Sequence, residues 1–254
     1  TPLLTQFINL SPNTATNDVL TNHTVLATVE VNGIPQVGDL VTFEVISGPN
    51  AGLISMPNNG ECFPNDCTTD ANGQVSWTYS SVIVGTDRIV ALFVDMTDQV
   101  IESNLVEKIW VNIISLSPAT ATNDTGTGHT VTATVEIDGI PEAGGLITFE
   151  VISGPNTGEI SDPNNGECTP NDDCTTDGNG QVSWTYRGGK IPGTDTIVAS
   201  FFDEEFQVSI ESNLVEKIWE SIPIPTLSEW GLIAMAGVLG IVGFMVMRRR
   251  KAAA

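Results

Sequence analysis

Basic side chains are scarce in this sequence of 254 residues. Nine Lys and Arg residues stand against 31 Asp and Glu residues, which gives a formal net charge of −22 at pH 7. Four of the nine basic residues are clustered near the C-terminus, as Arg248, Arg249, Arg250 and Lys251. A surface this acidic repels nucleic acid and anionic lipid headgroups. We therefore expect no nucleic-acid partner.

Catalytic signatures are also lacking. No GxSxG, HExxH or phosphate-binding glycine loop occurs in the sequence. Only two histidines are present, His23 and His129, and they precede the same predicted strand in two related segments. A histidine duplicated with its surroundings, with no Ser or Cys nucleophile motif beside it, indicates a residue at a strand edge or a turn. The sequence therefore predicts a non-enzymatic protein without an organic cofactor.

Two copies of one pattern fill most of the chain. LSPNTATND at 10–18 returns as LSPATATND at 116–124, VTFEVISGPN at 41–50 as ITFEVISGPN at 147–156, and CTTDANGQVSWTY at 67–79 as CTTDGNGQVSWTY at 174–186. A period of this length suits a whole small domain rather than one unit of a solenoid. The sequence thus predicts two domains, which we call repeat 1 (residues 1–111) and repeat 2 (residues 112–220).

Hydrophobic and polar residues alternate within each repeat. In residues 131–137, Val, Ala, Val and Ile alternate with Thr, Thr and Glu, and turn signals such as SGPN and DGNG separate runs of this kind. A period of two indicates antiparallel strands with one face in water. About seven short strands in roughly 105 residues is the number found in an immunoglobulin-like sandwich. We expect Trp77 and Trp184 to anchor the two cores.

The order of these motifs resembles a known family. HTVTATVEIDGIPEAGGLITFEVISGPNTG, followed by CTTDGNGQVSWTY and GTDTIVASF, is similar to the group 1 bacterial Ig-like repeats of invasin- and intimin-type surface proteins. The resemblance covers roughly residues 5–220. It implies an all-β fold of two tandem Ig-like sandwiches that act as rods or spacers. Some such proteins carry an adhesive tip, which we place at the distal loops near Pro49–Ala51 or Pro64.

The four cysteines form one close pair in each repeat. Cys62 and Cys67 lie in CFPNDC, and Cys168 and Cys174 lie in CTPNDDC. Their even number, equivalent positions and loop context favour one local disulfide per repeat, formed in an oxidising compartment. The alternative is a zinc site, which needs four converging ligands, whereas these pairs belong to separate repeats and lack CxxC spacing.

Acidic loops offer a further ligand chemistry. Asp66, Asp70, Asp173 and Asp177 supply oxygen atoms of the kind that Ca²⁺ prefers. The loops lack the bidentate Glu that an EF-hand carries at its twelfth position. A D-x-N-G stretch is also a strong turn signal by itself. We therefore favour Asx-stabilised turns, with Ca²⁺ binding as the alternative.

The C-terminal segment differs from everything before it. A Pro-rich linker at 221–226 leads into an apolar run at 227–247 and a basic tail at 248–254. The uncharged part of the run, residues 231–247, covers roughly 25 Å as a helix at ~1.5 Å per residue, close to the thickness of a bilayer core. The basic residues fit the positive-inside rule. The segment predicts a transmembrane helix, with the basic tail in the cytoplasm and the repeats outside.

The entry to this run resembles a sorting signal. It consists of Ile224, Pro225, Thr226, Leu227, Ser228, Glu229, Trp230 and Gly231, followed by a short apolar helix and the arginine cluster. This arrangement is similar to the IPTL class of C-terminal protein-sorting signals, which are related to signals read by exosortases. The resemblance implies export, transient anchoring in the inner membrane and processing near Pro225 by a sorting protease.

Small residues in the run suggest a further partner. Ala236, Gly240 and Gly243 form a ridge suited to close helix packing, so we expect self-association or a place in a membrane protein complex. Together, these features predict an exported bacterial protein of the cell envelope or surface. It would be the structural subunit of a filament, matrix or membrane-associated assembly. The alternative is an adhesin that binds a glycan or a protein through repeat 1.

Overall fold

The fold is that of a computed structural model, and it is built almost entirely from β-strands. The structure describes residues 6–55, 62–63, 66–95, 97–161, 167–221 and 229–251. Within these ranges it contains twenty strands and one helix. The β-branched and aromatic residues that alternate with polar ones favour this conformation, because they fit a pleated surface that is half buried.

Repeat 1 forms two sheets. Its strands are β1 (Gln6–Ser11), β2 (Thr14–Asp18), β3 (Asn22–Val31), β4 (Ile34–Pro35), β5 (Val41–Ser47), β6 (Cys62–Phe63), β7 (Gln74–Ser80), β8 (Gly85–Val94), β9 (Val100–Glu102) and β10 (Val106–Val111). One sheet has the order β1-β3-β7-β6 with β4 beside β3, and the other has the order β2-β10-β8-β5 with β9 beside β8.

Repeat 2 has the same topology. Its strands are β11 (Ile114–Ser117), β12 (Thr120–Asp124), β13 (Gly128–Ile137), β14 (Ile140–Pro141), β15 (Leu146–Ser153), β16 (Cys168–Thr169), β17 (Gln181–Arg187), β18 (Gly193–Asp203), β19 (Val208–Glu211) and β20 (Val215–Glu220). The sheets are β11-β13-β17-β16 with β14 beside β13, and β12-β20-β18-β15 with β19 beside β18. The predicted Ig-like β-sandwich is confirmed. The strands beyond the predicted seven include pieces of two to four residues.

The first strand of each repeat is divided between the two sheets. β1 pairs antiparallel with β3, and β2 then pairs parallel with β10. Pro12 lies between β1 and β2, and because proline has no N–H donor, the first ladder is interrupted there. Repeat 2 follows the same path through β11 and β12. The first and last strands of each repeat therefore lie side by side.

The cores consist of the inward-facing residues of both sheets. Trp77 and Trp184 are at most 1 % exposed, as predicted, and two tryptophans that the sequence analysis did not consider, Trp110 and Trp219, are also buried. The Trp77 ring stacks on Tyr79 with 4.7 Å between the ring centroids. Aromatic pairs of this kind contribute about 0.5–1.5 kcal/mol beyond the burial of their area.

The two repeats contact each other at one end of each sandwich. The backbone N–H of Asp138 in repeat 2 donates to Oδ2 of Asp18 in repeat 1 at 2.6 Å. At the start of repeat 2, the side-chain amide of Asn112 donates to the carbonyl oxygen of Glu211 at 2.6 Å. Ile113, between β10 and β11, is buried. We call this region the joint, and the opposite end of repeat 1 the distal end.

A single helix follows the strands in the described part of the chain, α1 (Glu229–Lys251). It includes the four basic residues that we predicted as a separate tail. Arg and Lys favour helix, and cations are favoured near a helix C-terminus. The apolar side chains described in α1, from Leu232 to Met245, are exposed.

The predicted transmembrane helix is not supported. Among the residues that the structure describes, no helix combines the length and the apolar character that a membrane crossing requires.

Candidate functional site

A buried carboxylate organises one end of repeat 2. Asp195, on β18, is fully buried. Its Oδ2 accepts hydrogen bonds from the Tyr186 hydroxyl at 2.9 Å, Trp219 Nε1 at 2.6 Å and Asn156 Nδ2 at 2.7 Å. Its Oδ1 accepts from the Asn156 backbone N–H at 3.0 Å. Four donors compensate the carboxylate for the water that it loses on burial.

Repeat 1 contains the same arrangement. Asp87, on β8, accepts hydrogen bonds from Tyr79, Trp110 and both the backbone and the side chain of Asn50. The SGPN motif brings Asn50 into place because Gly48 adopts φ +116° and lies directly against Asp87 and the Thr86 carbonyl. A Cβ at that glycine would collide with the backbone, so only glycine fits.

This geometry corrects the predicted position of an adhesive tip. The loop at Pro49–Ala51 is bound to Asp87, whose strand begins at Gly85 beside Trp110 near the end of β10. The loop therefore lies at the joint end of repeat 1 and not at the distal end. Pro64, the other predicted position, lies outside the described residues.

A buried lysine lies near each of the two carboxylates. Lys108, on β10, is fully buried, and its Nζ donates to Asn17 Oδ1 at 2.7 Å and to the Ile109 carbonyl at 3.1 Å. The same Nζ lies 4.3 Å from the centroid of the Trp110 ring, a cation–π distance. Burial lowers the pKa of Lys108 to about 8, against the opposing effect of nearby carboxylates.

Lys217, on β20, is the equivalent residue with fewer contacts. It is fully buried, and its Nζ lies 4.7 Å from the centroid of the Trp219 ring. Among the described residues this Nζ has no hydrogen-bond partner. Burial lowers the pKa of Lys217, and Asp195 partly opposes the shift. The amine is thus a polar group buried at a net cost.

We expect Lys217→Met to stabilise repeat 2 by about 1–3 kcal/mol, because methionine fills similar space and leaves no unsatisfied donor. Lys108→Met is the matched control, since it also removes two hydrogen bonds and should gain less. Denaturant unfolding of the full chain measures both changes. A Lys217→Met variant that loses more stability than Lys108→Met would contradict the interpretation.

The two histidines are core residues, and the prediction of a strand-edge or turn position is corrected. His23, on β3, is 7 % exposed, and its ring meets those of Tyr79 and Trp110 edge-on at 6.1 and 6.5 Å. Burial, and then the Lys108 cation, lower the pKa of His23 to about 4. His129 is equivalent, with its pKa lowered to about 4 by burial and then by Lys217. Both are neutral packing residues at pH 7.

Both predicted disulfides are present. Cys62 pairs with Cys67 and Cys168 pairs with Cys174, with Cα–Cα distances of 5.0 and 5.1 Å. Cys67, Cys168 and Cys174 are fully buried. Cys62 and Cys168 also pair with Trp77 and Trp184 on the neighbouring strands. The bridges therefore attach the loops to the edge of the core.

Reduction of each bridge is expected to lower the free energy of unfolding by only about 2 kcal/mol. Each bridge closes a loop of only five or six residues, and a disulfide that closes a short loop stabilises a fold less than one that closes a long loop. Denaturant unfolding with and without reductant checks this, with mass spectrometry to confirm complete reduction. Unfolding of either repeat on reduction alone would show that the bridges do more than reduce the conformational entropy of the unfolded chain.

The acidic loops are organised as turns. Asp70 Oδ1 accepts the backbone N–H of Asn72 at 2.8 Å and of Gln74 at 2.9 Å, and Asp177 does the same for Asn179 and Gln181. These bonds hold the pKa of Asp70 and Asp177 below the usual value. Asp173 accepts from Thr175, while Asp66 is exposed. Within the described ranges, no three acidic, His or Cys side chains converge on a cation position.

The distal end of repeat 1 carries a shallow groove. A cavity of about 190 Å³ lies between the start of β1 and the ends of β3 and β8, lined by Gln6, Val31 and Val94 among others. Phe7 and Ile34 nearby are 51 % and 64 % exposed. This end therefore presents apolar side chains beside polar ones, which the sequence analysis did not foresee.

Three of the eight predicted sorting residues lie in the described part of the chain. Ile224, Pro225, Thr226, Leu227 and Ser228 lie outside the described residues, while Glu229, Trp230 and Gly231 begin the helix. Ala236, Gly240 and Gly243 lie along it, and an added Cβ at either glycine would meet no other described atom within 4 Å. The packing role of this ridge stays a prediction.

Comparison with protein families accounts for the C-terminal segment. The IPTL-CTERM motif family matches residues 222–250, which include all eight predicted sorting residues. Residues 222–250 are an IPTL-CTERM motif. The resemblance stated from the sequence is thus confirmed. The IPTL-CTERM motif begins two residues after β20 ends, so it directly follows the second sandwich.

The sandwiches are also similar to solved structures. The fibronectin(III)-like modules of CbhA from Clostridium thermocellum share 13 % identity, with a TM-score of 0.28, over 85 % of this chain and 94 % of that one. The Yersinia pseudotuberculosis adhesin InvE shares 15 % identity, with a TM-score of 0.35, over 87 % of this chain and 61 % of that one. Among curated proteins, no sequence relative matches.

Proposed function

We propose that this is a non-enzymatic, exported surface protein in which two Ig-like sandwiches form a structural rod. The observation that carries the proposal is the IPTL-CTERM motif at 222–250, placed directly after two disulfide-bonded sandwiches. Disulfides persist in oxidising compartments outside the cytoplasm. The sorting signal and the two disulfides therefore both support an exported location.

The structural role is supported by how the polar groups of the core are used. Asp87, Asp195, His23 and His129 are buried, and the contacts described above are with core aromatic rings and backbone or amide donors. These groups specify the fold and are not presented to a substrate. Catalytic groups, in contrast, must reach a reacting atom in a cleft.

The C-terminal helix supplies the assembly step of this proposal. Its apolar side chains from Leu232 to Met245 are exposed, and Ala236, Gly240 and Gly243 form a small-residue ridge. Contiguous exposed apolar surface of this kind marks an interaction site. We assign α1 to self-association in a filament, matrix or envelope assembly, with a sorting protease acting near Pro225 during export.

Surface labelling tests the proposal. An epitope inserted at the exposed turn Thr97–Asp98 would be probed on intact cells of a bacterium that has the export machinery for this motif. We expect antibody and added protease to reach the epitope in the full chain. A chain lacking residues 222–254 should be lost from the surface. An epitope that remains protected on intact cells, but becomes accessible after lysis, would refute the location.

An adhesin is the second candidate, and the distal groove is the observation that favours it. The groove, with the exposed Phe7 and Ile34 near it, lies at the distal end of repeat 1, opposite the joint. The double variant Phe7→Ser/Val94→Ser should then reduce attachment of cells to host or matrix glycans and proteins. Ile191→Ser, at an equally exposed position in repeat 2, is the control. Equal attachment by both variants would remove this candidate.

A further inference from the structure

The terminal strands of each repeat are held together by a parallel ladder. β2 and β10 share five residue pairs, and β12 and β20 share five in the same register. In repeat 1, further backbone bonds flank the ladder, from Glu107 N–H to the Asn13 oxygen at 2.9 Å and from Val19 N–H to the Val111 oxygen at 3.0 Å. Repeat 2 has the same two flanking bonds.

The chain enters and leaves repeat 1 at opposite ends. Gln6, where β1 begins, lies with Val94 and Asp95 at the distal groove, whereas Val111 ends β10 at the joint. Tension along the chain therefore pulls β2 toward the distal end and β10 toward the joint. The ladder bonds then lie across the direction of the force and share the load, because the strands must slide past each other rather than peel apart.

Asparagine side chains just before the last strand bind the preceding part of the first strand, β1 in repeat 1 and β11 in repeat 2. In repeat 1, Asn104 accepts the Leu10 N–H at 2.8 Å and donates to the Leu10 carbonyl at 3.1 Å. In repeat 2, Asn213 makes the equivalent two bonds to Leu116, at 2.9 and 3.0 Å. Each asparagine lies just before the last strand of its repeat. Both repeats therefore have a second attachment of the first strand to the last.

Among the residues that the structure describes, a third attachment occurs in repeat 1 but not in repeat 2. Lys108 on β10 donates to Asn17 on β2 at 2.7 Å, and the lysine is fully buried. A hydrogen bond from a charged donor is stronger than a neutral one. In repeat 2 the equivalent Lys217 Nζ has no hydrogen-bond partner among the described residues. The side chains thus hold the terminal strands of repeat 2 together less firmly.

We propose that the two sandwiches are a tension-bearing element, loaded in shear through their parallel terminal strands, and that repeat 2 opens before repeat 1. The inference rests on the proposed function only for its setting, a rod under load at the cell surface. The mechanical property itself belongs to the purified chain. A failure of surface labelling would therefore leave it standing, and a mechanical failure would leave the location standing.

Single-molecule force spectroscopy of the full chain, tethered by tags at its two termini, tests the proposal. We expect two separate unfolding events, each releasing roughly 30–35 nm of chain at ~3.4 Å per residue. The event at lower force should belong to repeat 2. Lys108→Met should lower the higher force and leave the lower one unchanged. Two events whose forces do not respond to this variant would overturn the predicted order.

Proline variants test the ladder directly. The alternation of a parallel ladder, fixed by the bond from Glu107 to Asn13, directs the N–H of Ala15 toward β10 and that of Thr16 away from it. Ala15→Pro removes a load-bearing donor and should lower the unfolding force of repeat 1 by roughly half. Thr16→Pro is the matched control on the same strand. Equal forces in the two variants would overturn the shear mechanism.

A change of pulling direction keeps the proposal testable if a proline variant does not fold. Moving one attachment point from the C-terminus to the turn at Thr97–Asp98 places both handles at the distal end of repeat 1. The ladder is then not sheared, and repeat 1 should open at a markedly lower force with an unchanged thermal midpoint. If repeat 1 resists equally in both directions, its strength does not come from the terminal strands.

Discussion

Asp195→Ala is expected to destabilise repeat 2 by about 4 kcal/mol or more, while repeat 1 keeps its stability. The substitution removes the acceptor for Tyr186, Trp219 and both donors of Asn156, so four buried donors lose their partner together. A domain of this size has a total stability of about 5–15 kcal/mol. The loss is therefore a large fraction of what holds repeat 2 folded.

Denaturant unfolding followed by tryptophan fluorescence measures this effect, because Trp219 reports on the carboxylate directly. Asp87→Ala should produce the same loss in repeat 1 and leave repeat 2 intact. Asp172→Ala, at an exposed position of repeat 2, is the control and should change little. A modest loss in Asp195→Ala, similar to that of the exposed control, would mean that the four donors find other partners.

Acidification from pH 6.5 to pH 4 is expected to destabilise both repeats, by as much as about 3 kcal/mol for each buried histidine. The folded pKa of His23 and of His129 is about 4, below the ordinary value of 6.5. Unfolded chains bind a proton as the pH falls through 6.5, whereas folded chains do not until about pH 4. The stability that each neutral histidine contributes is fully present above pH 6.5. It is lost as the pH falls from 6.5 to 4.

The double variant His23→Phe/His129→Phe isolates this effect from the carboxylates, which titrate toward the lower end of the window. Tyr79, Trp110 and Lys108 surround His23, and phenylalanine preserves the edge-on aromatic contacts. We expect the variant to lose much of the slope of stability against pH between 4 and 6.5. An unchanged slope would show that other groups cause the acid sensitivity.

The segments that form strands could be predicted from the sequence, but the pairing of those strands in the sheets could not. Alternation in residues 131–137 shows which side chains face the core, because that property depends on the local period alone. The order of strands within a sheet depends on long-range pairing. The chain passes from one sheet to the other between β1 and β2, and this places the first strand beside the last. The crossing is a consequence of long-range pairing, and Pro12 is the local residue that marks its position.

The buried polar groups did leave a signal that the sequence analysis missed. Lys108 lies between Val106 and Trp110 in an alternating pattern, so it occupies an inward position, and Asp87 is likewise two residues before Ile89. A charged residue at a core-facing position of a strand predicts a buried ion pair or a buried hydrogen-bond network. The acidic candidates followed from composition and loop context, and both of these properties favour residues in exposed turns.

The local closure of the disulfides bears on how a chain with two similar halves avoids error during biosynthesis. Each cysteine pairs with a neighbour five or six residues away, while its counterpart in the other repeat is more than a hundred residues distant. Short loops close far faster than long ones, and at a lower entropic cost. The first sandwich can therefore oxidise and fold without any cysteine of the second. Crossed bridges and exchanged strands between the halves are thereby kinetically disfavoured.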